Sequence, residues 1–195
     1  MTVYWIGGGS GAGKSTIARR LAGEYGLGHY ATDDAMADHA SRCGDCPYVA
    51  EFLAMDMDER WLNRSPQVML DTFHWFRGEG FELIVQELST EVIVEGFRLL
   101  PRLVKPHLDE RTHAVWLLPT PHFRRQAFHS RGSLWEIAGR TSDPEKALSN
   151  LLERDAMFTE RLREETKELG LNAIEVDGSM SENDLTAAVA AIFGL

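Results

Sequence analysis

The sequence predicts an α/β fold in which a five-stranded parallel sheet lies between two layers of helices. Five apolar runs of strand length are separated by segments in which apolar residues recur at helical spacing. An alternation of strands and helices favours right-handed crossovers, which place helices on both faces of the sheet. The predicted strands cover residues 3–7, 28–32, 92–95, 113–118 and 173–176.

A chain of 195 residues is long enough for one large core and short for two, so we expect a single domain over residues 1–195. Two connections are longer than a crossover helix requires. The first follows the second strand and is predicted to form an insertion, in which Ser65 and Pro66 are typical of a helix start and Gly78 and Gly80 predict a break. In the second, Pro144 begins the helix that leads to the last strand.

The first strand runs directly into a glycine-rich segment that fits G-x-x-x-x-G-K-[ST] at every fixed position. Glycines let the backbone curl so that successive N–H groups point at one anion, and the helix that follows directs its positive end at the same place. Lys14 is expected to reach the β and γ phosphates of a nucleotide, and the Ser15 hydroxyl to bind Mg²⁺. An incidental glycine-rich turn is the alternative. The predicted phosphate-binding residues are Gly8, Gly9, Ser10, Gly11, Ala12, Gly13, Lys14, Ser15 and Thr16.

The charge balance excludes several classes of partner. The sequence has 30 acidic and 20 basic residues, for a formal net charge of −10, and no run concentrates lysine or arginine. Such a field repels nucleic acid and anionic lipid, so we expect neither as a partner. No apolar stretch approaches membrane-spanning length, and a strand near the N-terminus leaves no room for a signal peptide. We therefore expect a cytoplasmic monomer or homodimer.

The two cysteines, Cys43 and Cys46, have the spacing C-x-x-C, and His39 lies four residues before the first of them. A structural zinc site normally needs four ligands, and a redox pair needs a thioredoxin-like context. We therefore expect two reduced thiols at the surface, with a metal-binding or disulfide-bonded loop as the alternative.

Two acidic residues follow the second predicted strand, at the sheet edge where ligands bind in folds of this kind. A carboxylate of Asp33 or Asp34 could orient and deprotonate a hydroxyl for attack on a γ-phosphate, or bind Mg²⁺ through water. We favour Asp33 because it is nearer the strand. The alternative is that these side chains cap a helix predicted over residues 35–40.

The third strand ends at the same edge with Glu95, Gly96 and Arg98. Glu95 could hold Mg²⁺ through water or bind the phosphate acceptor, and Gly96 permits close approach of the backbone to a ligand. Arg98 could pair with an anionic group of the acceptor. A strand-end turn with a surface arginine is the alternative.

Several arginines follow the fourth strand. Phosphoryl transfer spreads negative charge over oxygens that arginine can stabilise, and we expect this role for Arg131 and Arg154, the latter oriented by Asp155. The alternative is that they are surface arginines without a role. After the last strand, Asp177 and Gly178 form a turn that could present backbone groups to a nucleobase, or act as a turn alone.

Aromatic residues concentrate in the insertion. Spacing at i and i+3 is more typical of a buried core than of contacts with a ligand, so we expect these side chains to form core. His74 has no assigned role. The residues concerned are Trp61, Phe73, Trp75 and Phe76.

Together these motifs resemble the superfamily of P-loop kinases that includes adenylate, shikimate and gluconate kinases and chloramphenicol phosphotransferase. Asp33 stands where these kinases carry an aspartate on the acceptor side. The run Glu95-Gly96-Phe97-Arg98 is similar to the Asp-Gly-Phe-Pro-Arg segment of adenylate kinases, and Val176-Asp177-Gly178 resembles their adenine-binding turn. The resemblance implies the sheet order 2-3-1-4-5, an acceptor-binding region over 33–90 and a lid over 121–145.

We therefore expect a kinase that uses ATP and Mg²⁺, phosphorylates a hydroxyl of a small molecule and releases ADP. A metabolite, a sugar acid or an antibiotic could be the acceptor. The first alternative is a nucleoside monophosphate kinase, although the insertion carries no signature of that group. The second is a nucleotide-dependent switch or assembly ATPase. The sequence has no Asn-Lys-x-Asp motif for reading guanine, which counts against a signalling GTPase.

Overall fold

The computed structural model describes residues 2–131 and 133–195, without the side chains of residues 128–135. Its five strands form one parallel sheet in the order β2-β3-β1-β4-β5, which confirms the predicted order. Each observed strand end lies within one residue of its prediction. The strands are β1 (Val3–Gly8), β2 (Gly28–Ala31), β3 (Val92–Glu95), β4 (Ala114–Pro119) and β5 (Asn172–Val176).

Helices occupy the connections between the strands, as the alternating pattern predicts. Within the described ranges they are α1 (Lys14–Tyr25), α2 (Met36–Arg42), α3 (Pro47–Ala54), α4 (Met57–Trp61), α5 (Pro66–Thr72), α6 (His74–Arg77), α7 (Phe81–Glu87), α8 (Pro101–Val104), α9 (Pro121–Arg131), α10 (Ser133–Ala138), α11 (Pro144–Leu169) and α12 (Glu182–Phe193), with short 3-10 turns at Lys105–His107 and Arg111–His113.

Each face of the sheet has its own hydrophobic core, because successive side chains of a strand point in opposite directions. Trp5 packs in the larger core with the insertion and α11, whereas Ile6 packs in the smaller core with α1 and α12. On β4, in the same way, Trp116 packs in the larger core and Leu117 packs in the smaller one. Strands buried on both faces need apolar residues at every position, which explains why they appear as continuous apolar runs.

The insertion between β2 and β3 consists of the six short helices α2 to α7. The Ser65 hydroxyl accepts a hydrogen bond from Val68 N at 3.3 Å and caps α5, as predicted. Gly78 ends α6 and Gly80 precedes α7, with φ angles of +93° and +69°. These angles lie in the left-handed region that glycine adopts readily, so the predicted break occurs at the two glycines.

A single carboxylate ties α2 to α7 and β2. Glu87 accepts hydrogen bonds from the Tyr30 hydroxyl at 2.6 Å and from Arg42, and its Oε2 lies 3.0 Å from His39 Nε2. Hydrogen bonds from Tyr30 and His39 lower the pKa of Glu87 to about 2. The carboxylate therefore stays ionised at neutral pH and holds the end of α2 against α7.

Cys43 and Cys46 form a disulfide bond, which corrects the expectation of two reduced thiols. The turn between α2 and α3 brings their Cα atoms to 5.6 Å, a separation that a disulfide spans. The spacing C-x-x-C allowed this geometry but did not require it, because the turn depends on where the two flanking helices end. The bridge closes the connection from α2 to α3.

The long helix α11 carries a charged pair into the larger core. It begins after Asp143, whose side chain accepts a hydrogen bond from Lys146 N, and its buried face includes Arg154 and Asp155. The buried pair on α11 faces the insertion, where the candidate site lies.

No helix in the described part of the chain combines the length and the apolar character needed to cross a membrane.

Gly8 joins β1 to β4 so closely that a side chain does not fit. Its φ is +132°, and a Cβ built there would lie 2.0 Å from the Leu117 carbonyl oxygen. Gly8→Ala is expected to lower the free energy of unfolding by about 2 kcal/mol or more, because the carbonyl belongs to the sheet and cannot move aside. Gly23→Ala is the matched control. It lies inside α1 with open space around it, and is expected to raise the free energy of unfolding by about 0.5–1 kcal/mol. Urea unfolding measures both, and equal stabilities would contradict the prediction.

Candidate functional site

The glycine-rich segment forms a curled loop between β1 and α1. Gly11 and Gly13 have φ angles of +80° and +83°, and Gly13 directly precedes the helix. Thr16 N and Ile17 N each donate a hydrogen bond to the Gly13 carbonyl oxygen at 3.1 Å. The loop therefore wraps the N-terminal turn of α1, the arrangement in which a helix start binds an anion.

Lys14 is buried beneath this loop. Its ammonium donates a hydrogen bond to the Gly9 carbonyl oxygen at 2.9 Å. Burial lowers the pKa of Lys14, and three carboxylates oppose the shift, those of Asp33, Glu95 and Asp155. One ammonium thus faces carboxylates from the ends of two strands and from α11.

Asp33 lies immediately beyond β2, within electrostatic reach of Lys14. The Thr32 hydroxyl donates a hydrogen bond to Asp33 Oδ1 at 3.3 Å. The carboxylate is open to a cavity, but surrounding atoms displace bulk water, and this burial raises the pKa of Asp33 against the opposing effect of Lys14. Asp34 is exposed beside it. No side chain caps α2, so the alternative role as a helix cap does not apply to either aspartate.

Glu95 ends β3 and is buried next to Ser15. Burial raises the pKa of Glu95, while Lys14 and a hydrogen bond with Ser15 oppose the increase. Gly96 follows with a φ of +151°, and a Cβ there would lie 1.8 Å from Thr32 Oγ1, so the ends of β2 and β3 meet closely. A hydroxyl and buried carboxylates around the loop are hard oxygen donors, which fit a Mg²⁺ ion.

One cavity of about 670 Å³ is bordered by both the glycine-rich loop and the insertion. The loop contributes Ser10, Gly11, Gly13, Lys14 and Ser15 to its lining, and Asp33 borders it as well. We call the ring-bearing part of the lining the aromatic wall, which consists of Phe52, Trp61, Phe73, His74, Trp75, Phe76 and Phe97.

The aromatic wall is where prediction from sequence was incomplete. Trp61, Phe73, Trp75 and Phe76 are buried in the larger core, as their spacing predicts. They also line the cavity, which the sequence analysis did not expect. Their concentration in one segment was the available signal, but helical spacing does not show which edge of a core is left open to a ligand.

Arg154 and Asp155 enter the same cavity from α11. Asp155 Oδ1 accepts hydrogen bonds from Arg154 Nε at 2.9 Å and from Nη2 at 2.6 Å, so the aspartate orients the guanidinium as expected. The guanidinium lies 5.2–5.3 Å from the ring centres of Trp61, Phe73 and Phe76. Contact of Arg154 with a transferred phosphoryl group stays a prediction, and the side chain of Arg131 lies outside the described residues.

Among the described residues, Arg124 lies against the loop, a position that the sequence does not indicate. Its Nε donates a hydrogen bond to the Ser10 carbonyl oxygen at 3.4 Å, and its Nη2 donates one to the Thr159 hydroxyl. The side chain is almost fully buried, and burial lowers its pKa. Nothing local distinguishes this arginine from its neighbours on α9, because the loop it contacts is more than a hundred residues away in sequence.

Arg98 lies behind the aromatic wall and is not among the residues that line the cavity. It donates hydrogen bonds to the carbonyl oxygens of Thr32 at 3.2 Å and Gly80 at 3.3 Å, and it stacks 3.9 Å over Trp75. Burial lowers the pKa of Arg98 to about 10, so the guanidinium remains charged at neutral pH. The structure therefore gives it a supporting position, and direct contact with an acceptor stays a prediction.

The turn after β5 lies at the edge of the sheet. The Asp177 side chain accepts a hydrogen bond from Ser179 N at 2.8 Å, and hydrogen bonds with the side chain and then the backbone of Ser179 lower the pKa of this exposed carboxyl. Gly178 has a φ of +92°, and Phe123 of α9 approaches it closely. Contact of this turn with a nucleobase stays a prediction.

Comparisons with known proteins identify the fold. No family model matches the sequence, and no curated protein sequence does. Among solved structures, an uncharacterized protein from Eubacterium ventriosum ATCC 27560 is similar with a TM-score of 0.52 and 13% identity over 99% of this chain and 98% of that one. A deoxyadenosine kinase from M. mycoides, solved with bound dATP, is similar with a TM-score of 0.51 and 12% identity over the full length of both chains. At these identities the comparison shows that the chain has the fold of a P-loop kinase.

Proposed function

We propose that this chain is an ATP- and Mg²⁺-dependent kinase that transfers the γ-phosphoryl group to a hydroxyl of a small molecule. The observation that carries the proposal is that Lys14, Asp33 and the aromatic wall border one cavity. Groups suited to a phosphate donor and groups suited to an acceptor therefore face the same space. The fold shared with a deoxyadenosine kinase supports a phosphotransferase with a nucleotide substrate.

The donor half consists of the phosphate-binding loop and the start of α1. Backbone N–H groups from Gly8 to Thr16 and the Lys14 ammonium would bind the phosphates of ATP. Ser15 would hold Mg²⁺ through its hydroxyl, and Glu95 and Asp33 would hold it through water. A bound ion there would supply positive charge that offsets the charge of the ATP phosphates. The turn at Asp177 and Gly178 would border the nucleobase.

The acceptor half is the segment 33–90 together with the end of β3. Asp33 takes the proton of the acceptor hydroxyl as the hydroxyl oxygen forms a bond to the γ-phosphorus, while the bond from that phosphorus to the bridging oxygen breaks and leaves ADP. A raised pKa makes this carboxylate a stronger base than an ordinary aspartate. Arg98 positions it by holding the Thr32 carbonyl, and Asp34 and Gly96 lie beside the acceptor.

The second connection, over 121–145, acts as a lid. Arg131 and Arg154 stabilise negative charge on the transferred phosphoryl group, since guanidinium groups bind its equatorial oxygens. Arg124 acts indirectly, because it holds the loop through a hydrogen bond to the Ser10 carbonyl oxygen.

Asp33→Asn is expected to lower kcat by about 10²- to 10⁴-fold, because the variant cannot accept a proton, while the KM for ATP changes little. For the wild type, kcat falls as the pH drops through the raised pKa of this carboxyl. Initial rates of ADP release measure both effects. Asp38→Asn is the matched control, since Asp38 lies on α2 and is exposed outside the cavity lining. Near-normal turnover by Asp33→Asn would remove Asp33 as the base.

Asp33→Asn is expected to lower kcat but not to lower the stability of the folded protein at alkaline pH. Because burial raises the pKa of Asp33, the native state keeps its proton to higher pH than the unfolded chain, and the free energy of unfolding falls as the pH rises through that window. Asp33→Asn removes this penalty, so at about pH 8 its Tm should equal or exceed that of the wild type, and its Tm should depend less on pH. Thermal unfolding at about pH 5 and pH 8 measures this. A markedly lower Tm for the variant at the higher pH would contradict it.

Release of ADP is expected to depend on an acceptor. A bound acceptor places its hydroxyl beside Asp33 for attack on the γ-phosphate, whereas water in the open site is not held in that position, so transfer to water is slow. A coupled assay with and without candidate acceptors tests the proposed function. Rapid ATP hydrolysis that no acceptor stimulates would favour the alternative of a switch or assembly ATPase.

A further inference from the structure

The aromatic wall is a rigid surface. The Phe73 ring lies 5.3 Å from Phe52 and 4.9 Å from Phe76, and it stacks on Phe97 at 6.4 Å between ring centres. Behind the wall, Phe158 stacks on Phe76 at 3.7 Å. Rings held on several sides keep their orientation, so a flat apolar ligand meets a surface that is already formed.

Polar groups in the cavity are few but specific. Outside the glycine-rich loop, the ionisable side chains among the described lining residues are Asp33, His74, Arg154 and Asp155. His74 Nδ1, Arg154 Nη1 and Asp155 Oδ2 are buried without a hydrogen-bond partner among the described residues. A buried polar atom without a partner is unfavourable, so a bound molecule that supplies a partner gains affinity.

The protonation state of His74 and the unpaired atoms of Arg154 and Asp155 define what the cavity can bind. Burial, followed by the charges of Arg98 and Arg60, lowers the pKa of His74 to about 4, so the imidazole is neutral at neutral pH. Arg154 offers a donor, and the free oxygen of Asp155 offers an acceptor. A ligand that carries a hydrogen-bond acceptor and a donor at one edge would give a partner to the Arg154 donor and to the free Asp155 oxygen.

The described cavity lining carries no excess of positive charge. Lys14 and Arg154 are balanced by Asp33 and Asp155, and Arg154 is already paired with Asp155. Arg98 lies behind Trp75, where two backbone carbonyls take its hydrogen bonds. A phosphate on the acceptor would bring further negative charge beside two carboxylates, so these side chains favour an uncharged acceptor.

We infer that the acceptor is an uncharged alcohol built on a planar aromatic or heteroaromatic ring, and that the ring binds against the aromatic wall. This inference rests on the proposed kinase function and narrows its substrate. A ring gains burial and stacking against Phe73 and its neighbours. A sugar acid or polyol would instead place several hydroxyls against rings that cannot hydrogen-bond to them, which costs affinity.

The experiment uses the whole chain of 195 residues and three sets of compounds. The first set contains uncharged aromatic alcohols, namely nucleosides and hydroxymethyl pyridines. The second contains nucleoside monophosphates, which keep the ring and add charge, and the third contains gluconate and shikimate, which have no aromatic ring. Quenching of tryptophan fluorescence reports binding, since Trp61 and Trp75 line the cavity, and ADP release reports phosphorylation.

We expect members of the first set to quench fluorescence and to stimulate ADP release, and the other two sets to do neither at equal concentration. Phe73→Leu keeps an apolar side chain but removes the ring, and should raise the Kd of the bound aromatic alcohol by about 2- to 10-fold. Phe97→Leu tests the same wall at a half-buried position, in case Phe73→Leu unfolds. Phe81→Leu is the matched control, because Phe81 is buried in the same core outside the cavity lining, and it should leave the Kd unchanged.

The outcomes separate this inference from the proposed function. Phosphorylation of gluconate, shikimate or a monophosphate without binding of any aromatic alcohol would overturn the inference and leave the kinase function standing. Binding of an aromatic alcohol that Phe73→Leu weakens, without any phosphorylation, would support the ligand class and overturn the kinase function. A Kd that responds equally to Phe73→Leu, Phe97→Leu and Phe81→Leu would overturn the aromatic wall as the binding surface.

Discussion

One buried ammonium, that of Lys14, organises the edge of the sheet where the site lies. Asp33 reaches it from the end of β2, Glu95 from the end of β3 and Asp155 from α11. Burial raises the pKa of Asp33 and Glu95 although Lys14 opposes the increase, so the ammonium offsets only part of the cost of burying these charges. A site that concentrates charge in this way is less stable than an apolar core would be, and natural proteins accept that cost where binding or catalysis requires it.

The surroundings of the cavity explain how short helices can form a precise surface. The helix α2 borders the cavity, and its far end is held by the Glu87 carboxylate and by the disulfide that begins at Cys43. Arg98 connects the end of β2 to the turn at Gly80 and stacks under Trp75. These contacts lie outside the cavity, yet they determine where its lining stands. Groups of this kind position a site without touching what it binds.

The elements that could be predicted are those with strong local causes. Continuous apolar runs located β1, β3 and β4, because both faces of a central parallel strand are buried, whereas the edge strands β2 and β5 are partly exposed. Ser65 and Gly78 marked helix ends because capping and left-handed backbone depend on the residue at that place. The disulfide between Cys43 and Cys46 was only the alternative to two reduced thiols, since C-x-x-C spacing suits reduced, metal-bound and oxidised cysteines alike, and only the turn between α2 and α3 distinguishes them.

The sequence by itself determined the α/β class, the glycine-rich loop with Lys14 and Ser15, and the acidic residues at the ends of β2 and β3, because each depends on neighbours along the chain. Only the tertiary structure decided that the aromatic wall lines the cavity, that Arg124 holds the loop and that Arg98 lies behind Trp75. These facts depend on contacts between residues far apart in sequence. Helical spacing shows that a side chain is buried but does not show what it faces, and that second property is the one that makes a binding site.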